Sequence, residues 1–323
     1  MTPGGDPTPW LDAPSATLPS ALSAVGLYAD LAEATPSDRV IAYDVQYPLF
    51  SDGNLKTRFV HLPEGETIDV SDPDGWVLPD GATLFKTFHL TARGNTSAQR
   101  VETRILHKRA DGWDVGTYVW NEENTEATLS DGQPIDVEHQ LPEGPYTYTI
   151  PGRNDCFACH AGTVDFVAGF DRLQLSESDG GTTQLEELAS RGFFDGPVEV
   201  AFVEGSAAER AAVGHLHGNC SNCHRPDGPA WFSTQLDLRF DQTRAATVDQ
   251  SSRKFYATNP AFRLIKPGEP ESSIVYRLMV GDLEGVDTSM PPVGTSLLDD
   301  AGLASLRTWI EELQPMSLEE SHR

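Results

Sequence analysis

The sequence predicts an α+β multidomain protein, in which an N-terminal, mainly-β domain of the sandwich or barrel-like type precedes a C-terminal, all-α domain. Between about residues 38 and 150, short runs rich in β-branched and aromatic residues alternate with Gly- and Pro-containing turns. After about residue 206, apolar residues recur at helical spacing instead. The 323 residues are enough for two domains. We expect a flexible linker or tail over 1–22, the β-rich domain over 23–200 and the helical domain over 201–323.

The β-rich domain is predicted from six runs with strand composition: VIAYDVQYPLF, TRFVHL, ATLFKTFHLTA, RVETRILHKRA, WDVGTYVWN and PYTYTI. In the fourth run Val101, Thr103 and Ile105 fall on one face, and Glu102 and Arg104 fall on the other. This period of two is typical of a half-buried strand.

The helical domain is predicted to begin with a capping box, Ser206 to Glu209, in which each side chain satisfies the other's backbone donor. The helix that it opens runs into the second cysteine motif. A terminal helix is predicted from the spacing of its apolar residues, which are Leu303, Leu306, Trp309, Ile310 and Leu313. We expect this terminal helix to pack against the helix that carries the motif.

The charge balance excludes some partners. Forty-nine acidic residues against 23 basic ones give a formal net charge of −26. Such a surface repels phosphate backbones and anionic lipid heads, so nucleic-acid binding is not expected. No stretch approaches the roughly 20 apolar residues of a membrane-spanning helix, so no integral membrane segment is expected either.

The four cysteines form two CxxCH motifs, CFACH from Cys156 to His160 and CSNCH from Cys220 to His224. This spacing lets two sulfurs bond the vinyl groups of one haem while the next residue, a histidine, ligates its iron. We therefore predict two haem c groups. Their thioethers would come from Cys156 and Cys159 and from Cys220 and Cys223, and their proximal iron ligands would be His160 and His224.

Other readings of the cysteines are weaker. A redox CxxC usually occurs once, and the residue after it need not be histidine. A zinc ribbon would separate the pairs by about 15–20 residues, far fewer than here, and zinc gives no reason for a histidine after both pairs.

The distal ligands are less well defined by the sequence. Met290 lies in TSMPPVG, where Pro291 and Pro292 stiffen the chain, and we predict it as the distal ligand of the second haem. For the first haem the alternatives stay open: Met279, His215, His217, a histidine of the β region (His61, His89, His107 or His139), or an open sixth position.

Covalent haem attachment normally takes place outside the cytoplasm. The sequence thus predicts a periplasmic, cell-surface or extracellular protein, although no basic and hydrophobic signal peptide precedes MTPGGDPTPW.

From about residue 25 to 313 the chain resembles a family of bacterial exported dihaem c-type cytochromes. The resemblance is carried by YPLFSDG from Tyr47, LFKTF from Leu84, the block from Val101 to Asn121, PGRNDCFACH, HGNCSNCHR and MPPVG with its terminal helix. It implies a β-rich N-terminal half, a C-terminal cytochrome c-like domain and electron transfer, with His160, His224 and Met290 as iron ligands.

Two functions from different classes follow. The first is an electron relay that passes electrons through two haems between redox partner proteins, and the acidic surface favours a partner with a basic docking face. The second is a dihaem oxidoreductase of the peroxidase type, with one five-coordinate catalytic haem. A ligand-binding or sensing role for the β-rich domain is a third possibility, for which the sequence contains no binding signature.

Overall fold

The computed structural model describes residues 9–14, 17–90, 99–141, 144–177 and 180–314. The chain divides into two compact units. The first comprises Met1–Asp44, Asn54–Ala158 and Glu177–Val200, and the second comprises Val45–Gly53, Cys159–Ser176 and Ala201–Arg323. The predicted mixture of a β-rich N-terminal region and several helices is confirmed.

All strands among the described residues belong to the first unit. They are β1 (Tyr28–Asp30), β2 (Thr35–Pro36), β3 (Ile41–Tyr43), β4 (Leu55–His61), β5 (Thr83–Leu90), β6 (Gln99–Arg109), β7 (Gly112–Trp120), β8 (Ala127–Leu129), β9 (Ile135–Leu141) and β10 (Gly144–Ile150). Strands β3 to β8 form one antiparallel sheet in sequence order, while β1–β2 and β9–β10 form separate antiparallel pairs. Neighbouring strands of the large sheet are thus consecutive in the chain, as in a meander.

The main core of the first unit lies on one face of the large sheet. Phe59, Phe85 and Ile105 occupy directly opposed positions of β4, β5 and β6, and all three are buried. Trp10 and Leu11 join the same core, although they lie within the segment predicted as a flexible linker or tail. The reason is hydrophobic: two large apolar side chains are removed from water where they meet this face.

The helices are α1 (Arg153–His160), α2 (Gln184–Ser190), α3 (Ala207–Cys220), α4 (Trp231–Thr234), α5 (Thr243–Thr247), α6 (Ile274–Val280) and α7 (Asp300–Glu312). Helix α2 belongs to the first unit and α3 to α7 belong to the second, while the boundary between the units falls within α1.

The capping box predicted for α3 is only half formed. The Ser206 hydroxyl accepts a hydrogen bond from the Glu209 N–H at 3.1 Å, but the Glu209 carboxylate pairs with Arg244. A complete capping box opens α2 instead, between Thr183 and Glu186. The competing arginine, 35 residues downstream of Glu209, explains the difference.

The core of the second unit joins α3, α6 and α7. Leu216 of α3, Met279 of α6 and Trp309 of α7 are buried in one cluster. Gly302 of α7 allows the closest approach, because a Cβ atom there would lie 2.3 Å from the His215 ring of α3. The terminal helix therefore packs against the helix that leads into the second cysteine motif, as the sequence predicts.

Within the residues that the structure describes, every helix is too short or too polar to cross a membrane.

Candidate functional site

The first CxxCH motif, Cys156 to His160, forms the C-terminal end of α1. Cys156 and Cys159 are three residues apart, and His160 follows Cys156 by four, so all three side chains emerge on one side of the helix. The helix is short and starts where the Asp155 carboxylate accepts the N–H of Gly152 at 2.9 Å. Phe157, between the cysteines, is 44% exposed, which leaves an aromatic ring at the surface of the motif.

A backbone carbonyl fixes the proton of His160. Its Nδ1 lies 2.9 Å from the carbonyl oxygen of Phe166, which can only accept, so Nδ1 carries the proton. Asp165 and Phe166 both adopt left-handed backbone angles, with φ of 50° and 61°, and this turn brings the carbonyl back to the imidazole. The resulting tautomer has its lone pair on Nε2, one of the two ring nitrogens through which histidine ligates metals.

The second motif follows directly from α3. Cys220 is the last residue of the helix, and its carbonyl accepts the N–H groups of Cys223 and His224 at 3.1 and 2.9 Å. The Nδ1 of His224 lies 3.4 Å from the Thr234 hydroxyl oxygen. Because that hydroxyl donates to the carbonyl of Ala230, its oxygen is left to accept the Nδ1 proton. The same tautomer is therefore favoured at both histidines.

The thiols have the properties of buried groups. Burial raises the pKa of Cys220 to about 12, and it also raises the pKa values of Cys156 and Cys223. Disulfide-exchange cysteines have lowered pKa values instead, so these directions do not favour a redox-active CxxC. All four cysteines are thiols rather than disulfides.

The segments that follow the two motifs touch each other within the second unit. A Cβ atom on Gly162 would lie 2.6 Å from the Cα of Gly228 and 2.7 Å from the ring of Pro229. Only a residue without a side chain permits this approach. The two sulfurs Cys159 and Cys223 are also close enough for a charge on one to raise the pKa of the other, although burial has the larger effect. The two motifs, far apart in sequence, therefore adjoin.

Helix α3 packs against the YPLFSDG segment, which begins at Tyr47. Cβ atoms on Gly214 and Gly218 of the helix would clash with the Tyr47 ring and carbonyl, at 2.0 and 2.2 Å. At the end of the helix the Asn219 side chain accepts the N–H of Phe50 at 2.6 Å.

Asp52, in the same segment, holds the chain that follows Met290. Its carboxylate accepts the N–H groups of Ser296 and Leu297, both at 2.9 Å, and the hydroxyl of Thr295 at 2.5 Å. YPLFSDG thus contacts both the helix of the second motif and the loop downstream of the predicted distal methionine.

The two candidate methionines differ in their surroundings. Met290 is half-buried against Leu278 and Leu283, and its N–H donates to the Leu278 carbonyl at 2.8 Å. Met279 is 9% exposed in the main core of the second unit, beside Trp309. The position of Met279 is that of a side chain that fills a core.

His215 and His217 are both engaged within the second unit. The Nδ1 of His215 lies 3.3 Å from the Asn219 amide nitrogen and 3.7 Å from Asp299. His217 uses both ring nitrogens, since Nδ1 accepts the N–H of Phe240 at 3.2 Å and Nε2 lies 3.4 Å from the Asp171 carboxylate. Three ring nitrogens, Nδ1 of His215 and both nitrogens of His217, thus contact protein groups of the second unit.

The histidines of the β region make local hydrogen bonds. His61 bonds the Arg39 carbonyl at 2.8 Å, His89 the Thr57 hydroxyl at 3.1 Å and His107 the Thr83 hydroxyl at 2.9 Å. The side chain of His139 lies outside the described residues.

The donor set of each motif fits a covalently bound haem. Each has two thiols for thioether bonds and one histidine whose tautomer presents Nε2 to a metal. No group of three or more His, Cys, Asp or Glu side chains in the described part of the chain could hold a bare metal ion.

Sequence reasoning missed the groups that support the motifs. No sequence motif predicts the supporting roles of the Phe166 carbonyl and the Thr234 hydroxyl, or the contact between Gly162 and Gly228. The sign of this contact in the sequence is a glycine shortly after each motif, Gly162 in HAG and Gly228 in PDGP.

No family model, no curated protein and no solved structure matches this chain.

Proposed function

We propose that the protein is a dihaem c-type cytochrome that transfers electrons between redox partners outside the cytoplasm. The observation that carries the proposal is the pair of adjoining CxxCH motifs, each with its histidine held in the metal-binding tautomer. A β-rich N-terminal domain of the sandwich or barrel-like type and a cytochrome c-like C-terminal domain complete the proposed architecture.

The residues have separate tasks in this proposal. Cys156 and Cys159 hold one haem and Cys220 and Cys223 hold the other, while His160 and His224 ligate the irons. The groups that orient the two rings are the Phe166 carbonyl and the Thr234 hydroxyl. Each haem, when bound, supplies an iron that exchanges one electron.

Met290 is the proposed distal ligand of the second haem. Its loop is held twice, by the hydrogen bond of Met290 to Leu278 and by the bonds of Asp52 to the residues that follow. A ligand loop that is fixed in both oxidation states lowers the reorganisation that accompanies electron transfer, which suits a carrier.

The adjoining motifs support direct exchange between the two haems. Electron transfer slows steeply with the distance between cofactors, so a relay needs its haems close together. The close approach of Gly162 to Gly228 keeps the two attachment segments together. The net charge of −26 favours a partner with a basic docking face.

A peroxidase-type dihaem oxidoreductase is the second candidate, and one observation favours it. The distal candidates proposed for the first haem, Met279, His215 and His217, are buried in the core or hydrogen-bonded elsewhere. These contacts favour an open sixth position over Met279, His215 or His217 at the first haem.

Carbon monoxide binding to the reduced holoprotein separates the two functions. A relay with two six-coordinate haems gives a low-spin spectrum that carbon monoxide leaves unchanged. A five-coordinate haem binds carbon monoxide stoichiometrically and gives a high-spin signal in electron paramagnetic resonance of the oxidised protein. If that signal appears, turnover of hydrogen peroxide with a reduced dye is the next assay, and its absence would contradict the enzyme reading.

A further inference from the structure

Three cations lie directly opposite one another on the large sheet. Arg58 of β4 pairs with Lys86 of β5, and Lys86 pairs in turn with Arg104 of β6. They share the face opposite to that of Phe59 and Phe85. We call these three residues the cationic row. Like charges at directly opposed positions destabilise a sheet, so this row needs a compensating charge.

The row is unexpected in so acidic a protein. The chain has five lysines and a net charge of −26. Three of the five lie on this face: Lys86 itself, Lys56, which precedes Arg58 by two residues on β4, and Lys108, which follows Arg104 by four residues on β6.

The two arginines already have carboxylate partners. Arg58 pairs with Asp44 at 2.9 Å, and Arg104 pairs with Glu102 through two hydrogen bonds of 2.6 and 2.9 Å. Glu102 is fully buried and accepts a further hydrogen bond from the Tyr148 hydroxyl. Each carboxylate is thus committed to an arginine at one side of the row.

Lys86, at the centre, lacks such a partner. Among the described residues no carboxylate lies within ion-pair distance of its amine, which sits 5.1 Å from the centre of the Phe88 ring. Burial first, and then the charges of Arg58, Arg104 and Lys56, hold the pKa of Lys86 well below its ordinary range, and the smaller effect of the Glu102 charge opposes this shift. A negative group that approaches the Lys86 amine would favour its charged form.

The row lies beside the first attachment cysteine. The thiol of Cys156 is close enough to Arg104 and Glu102 for their charges to act on its pKa, after the larger effect of burial. A group bonded to Cys156 would therefore come near the cationic row. A haem carries two propionate carboxylates, which are anions of the kind that a lysine between two arginines can bind.

We propose that the cationic row is a carboxylate-binding site in which the ligand supplies the counter-charge to the Lys86 ammonium. The carboxylate comes either from the propionates of the haem at Cys156 or from a free dicarboxylate that binds beside it. The first source rests on the proposed function, and the second does not. In both cases Lys86 is a binding residue, and Arg58 and Arg104 place a positive charge on either side of it.

The first arm of the test is a potentiometric titration of the holoprotein as wild type, Lys86→Met and Lys86→Arg. If propionates fill the site, Lys86→Met lowers one of the two midpoint potentials, because a nearby cation disfavours the ferric state. The other midpoint stays constant, and Lys86→Arg restores the wild-type value. Lys108→Met is the matched control, since Lys108 also lies on this sheet against an aromatic ring, 5.4 Å from the centre of Trp113.

The second arm measures the thermal midpoint of the same proteins with increasing succinate. If the site takes a free dicarboxylate, succinate raises the midpoint of the wild type and of Lys108→Met but not that of Lys86→Met. The proposal is overturned if Lys86→Met matches Lys108→Met both in its potentials and in its response to succinate. A haem content other than two would contradict the proposed function separately, and the succinate arm would still decide on the row.

Discussion

Single hydrogen bonds decide what the two motif histidines can do. The Phe166 carbonyl and the Thr234 hydroxyl oxygen each accept the Nδ1 proton of a histidine, at 2.9 and 3.4 Å. Such a bond raises the basicity of the opposite ring nitrogen and fixes the plane of the ring. The motif supplies the histidine, and these acceptors set its chemistry.

Thr234→Val tests this role at the second haem. Loss of the acceptor makes His224 a weaker donor to ferric iron, so one midpoint potential should rise. A hydrogen bond of about 1 kcal/mol corresponds to roughly 40 mV for one electron. Thr308→Val, on the exposed side of α7, removes a hydroxyl that bonds only the Ala304 carbonyl and should leave both potentials unchanged. An unchanged potential in Thr234→Val would refute the role.

His107 makes the first unit sensitive to acid. Its imidazole is 2% exposed, and burial, aided by the charge of Arg109 and opposed by Asp114, lowers its pKa to about 4. The neutral form is thus favoured by folding. The stabilisation is present above the unfolded pKa of about 6.5 and is lost as the pH falls toward 4.

We expect the free energy of unfolding to drop by at most about 3 kcal/mol from this group between pH 7 and pH 4. Urea titrations at a series of pH values measure it. His107→Gln should flatten the dependence, whereas His61→Gln, at another hydrogen-bonded histidine of the sheet, should keep it. Equal slopes in the two variants would rule out His107 as the cause.

At the scale of elements, contacts between distant segments assemble the site. Glycine allows the turn after the first motif to approach the turn after the second, and the YPLFSDG segment contacts both α3 and the loop after Met290. The sequence could not foresee these contacts, because they depend on the packing of residues more than 60 positions apart. Each can be broken by one substitution.

Gly162→Ala should push the two attachment segments apart. The added Cβ meets Gly228 at 2.6 Å, so the backbone must shift, at a cost of about 1–3 kcal/mol. We expect the paired circular dichroism bands that arise when two haems lie close together to weaken, while both haems stay attached. Gly196→Ala is the control, since a Cβ there meets nothing closer than 3.5 Å. Bands of unchanged strength in Gly162→Ala would show that this contact does not set the distance between the haems.

Asp52→Ala should release the loop that follows Met290. The substitution removes the carboxylate and its hydrogen bonds to Thr295, Ser296 and Leu297. These bonds together stabilise the loop by about 2 kcal/mol or more. The charge-transfer band of a methionine–iron bond should weaken, and one midpoint potential should fall. Asp300→Ala, in the first turn of α7, removes a charge without these bonds and should keep the band. A full band in Asp52→Ala would mean that the loop is positioned by other contacts.

For the molecule as a whole, the features that depend on only a few neighbouring residues could be predicted from the sequence. The two CxxCH motifs, the start of α3 at Ser206 and the alternation in β6 are patterns over a few residues, and strands and helices lie where these patterns predict them. The cationic row depends on strand register, which brings Arg58 and Arg104 to either side of Lys86. The burial of Trp10 depends on the finished sheet, so composition alone assigned it to a tail.

Two covalent haems per chain are the basis of the proposed function, and a haem count measures them. The protein is produced with a haem-attachment system, and its iron porphyrin is measured by the pyridine haemochrome spectrum and by the mass of the denatured chain. We expect two haems per chain in the wild type, and one in a chain with Cys220→Ala and Cys223→Ala. A wild-type chain that carries no haem, or that instead binds zinc through its cysteines, would contradict the proposed dihaem function.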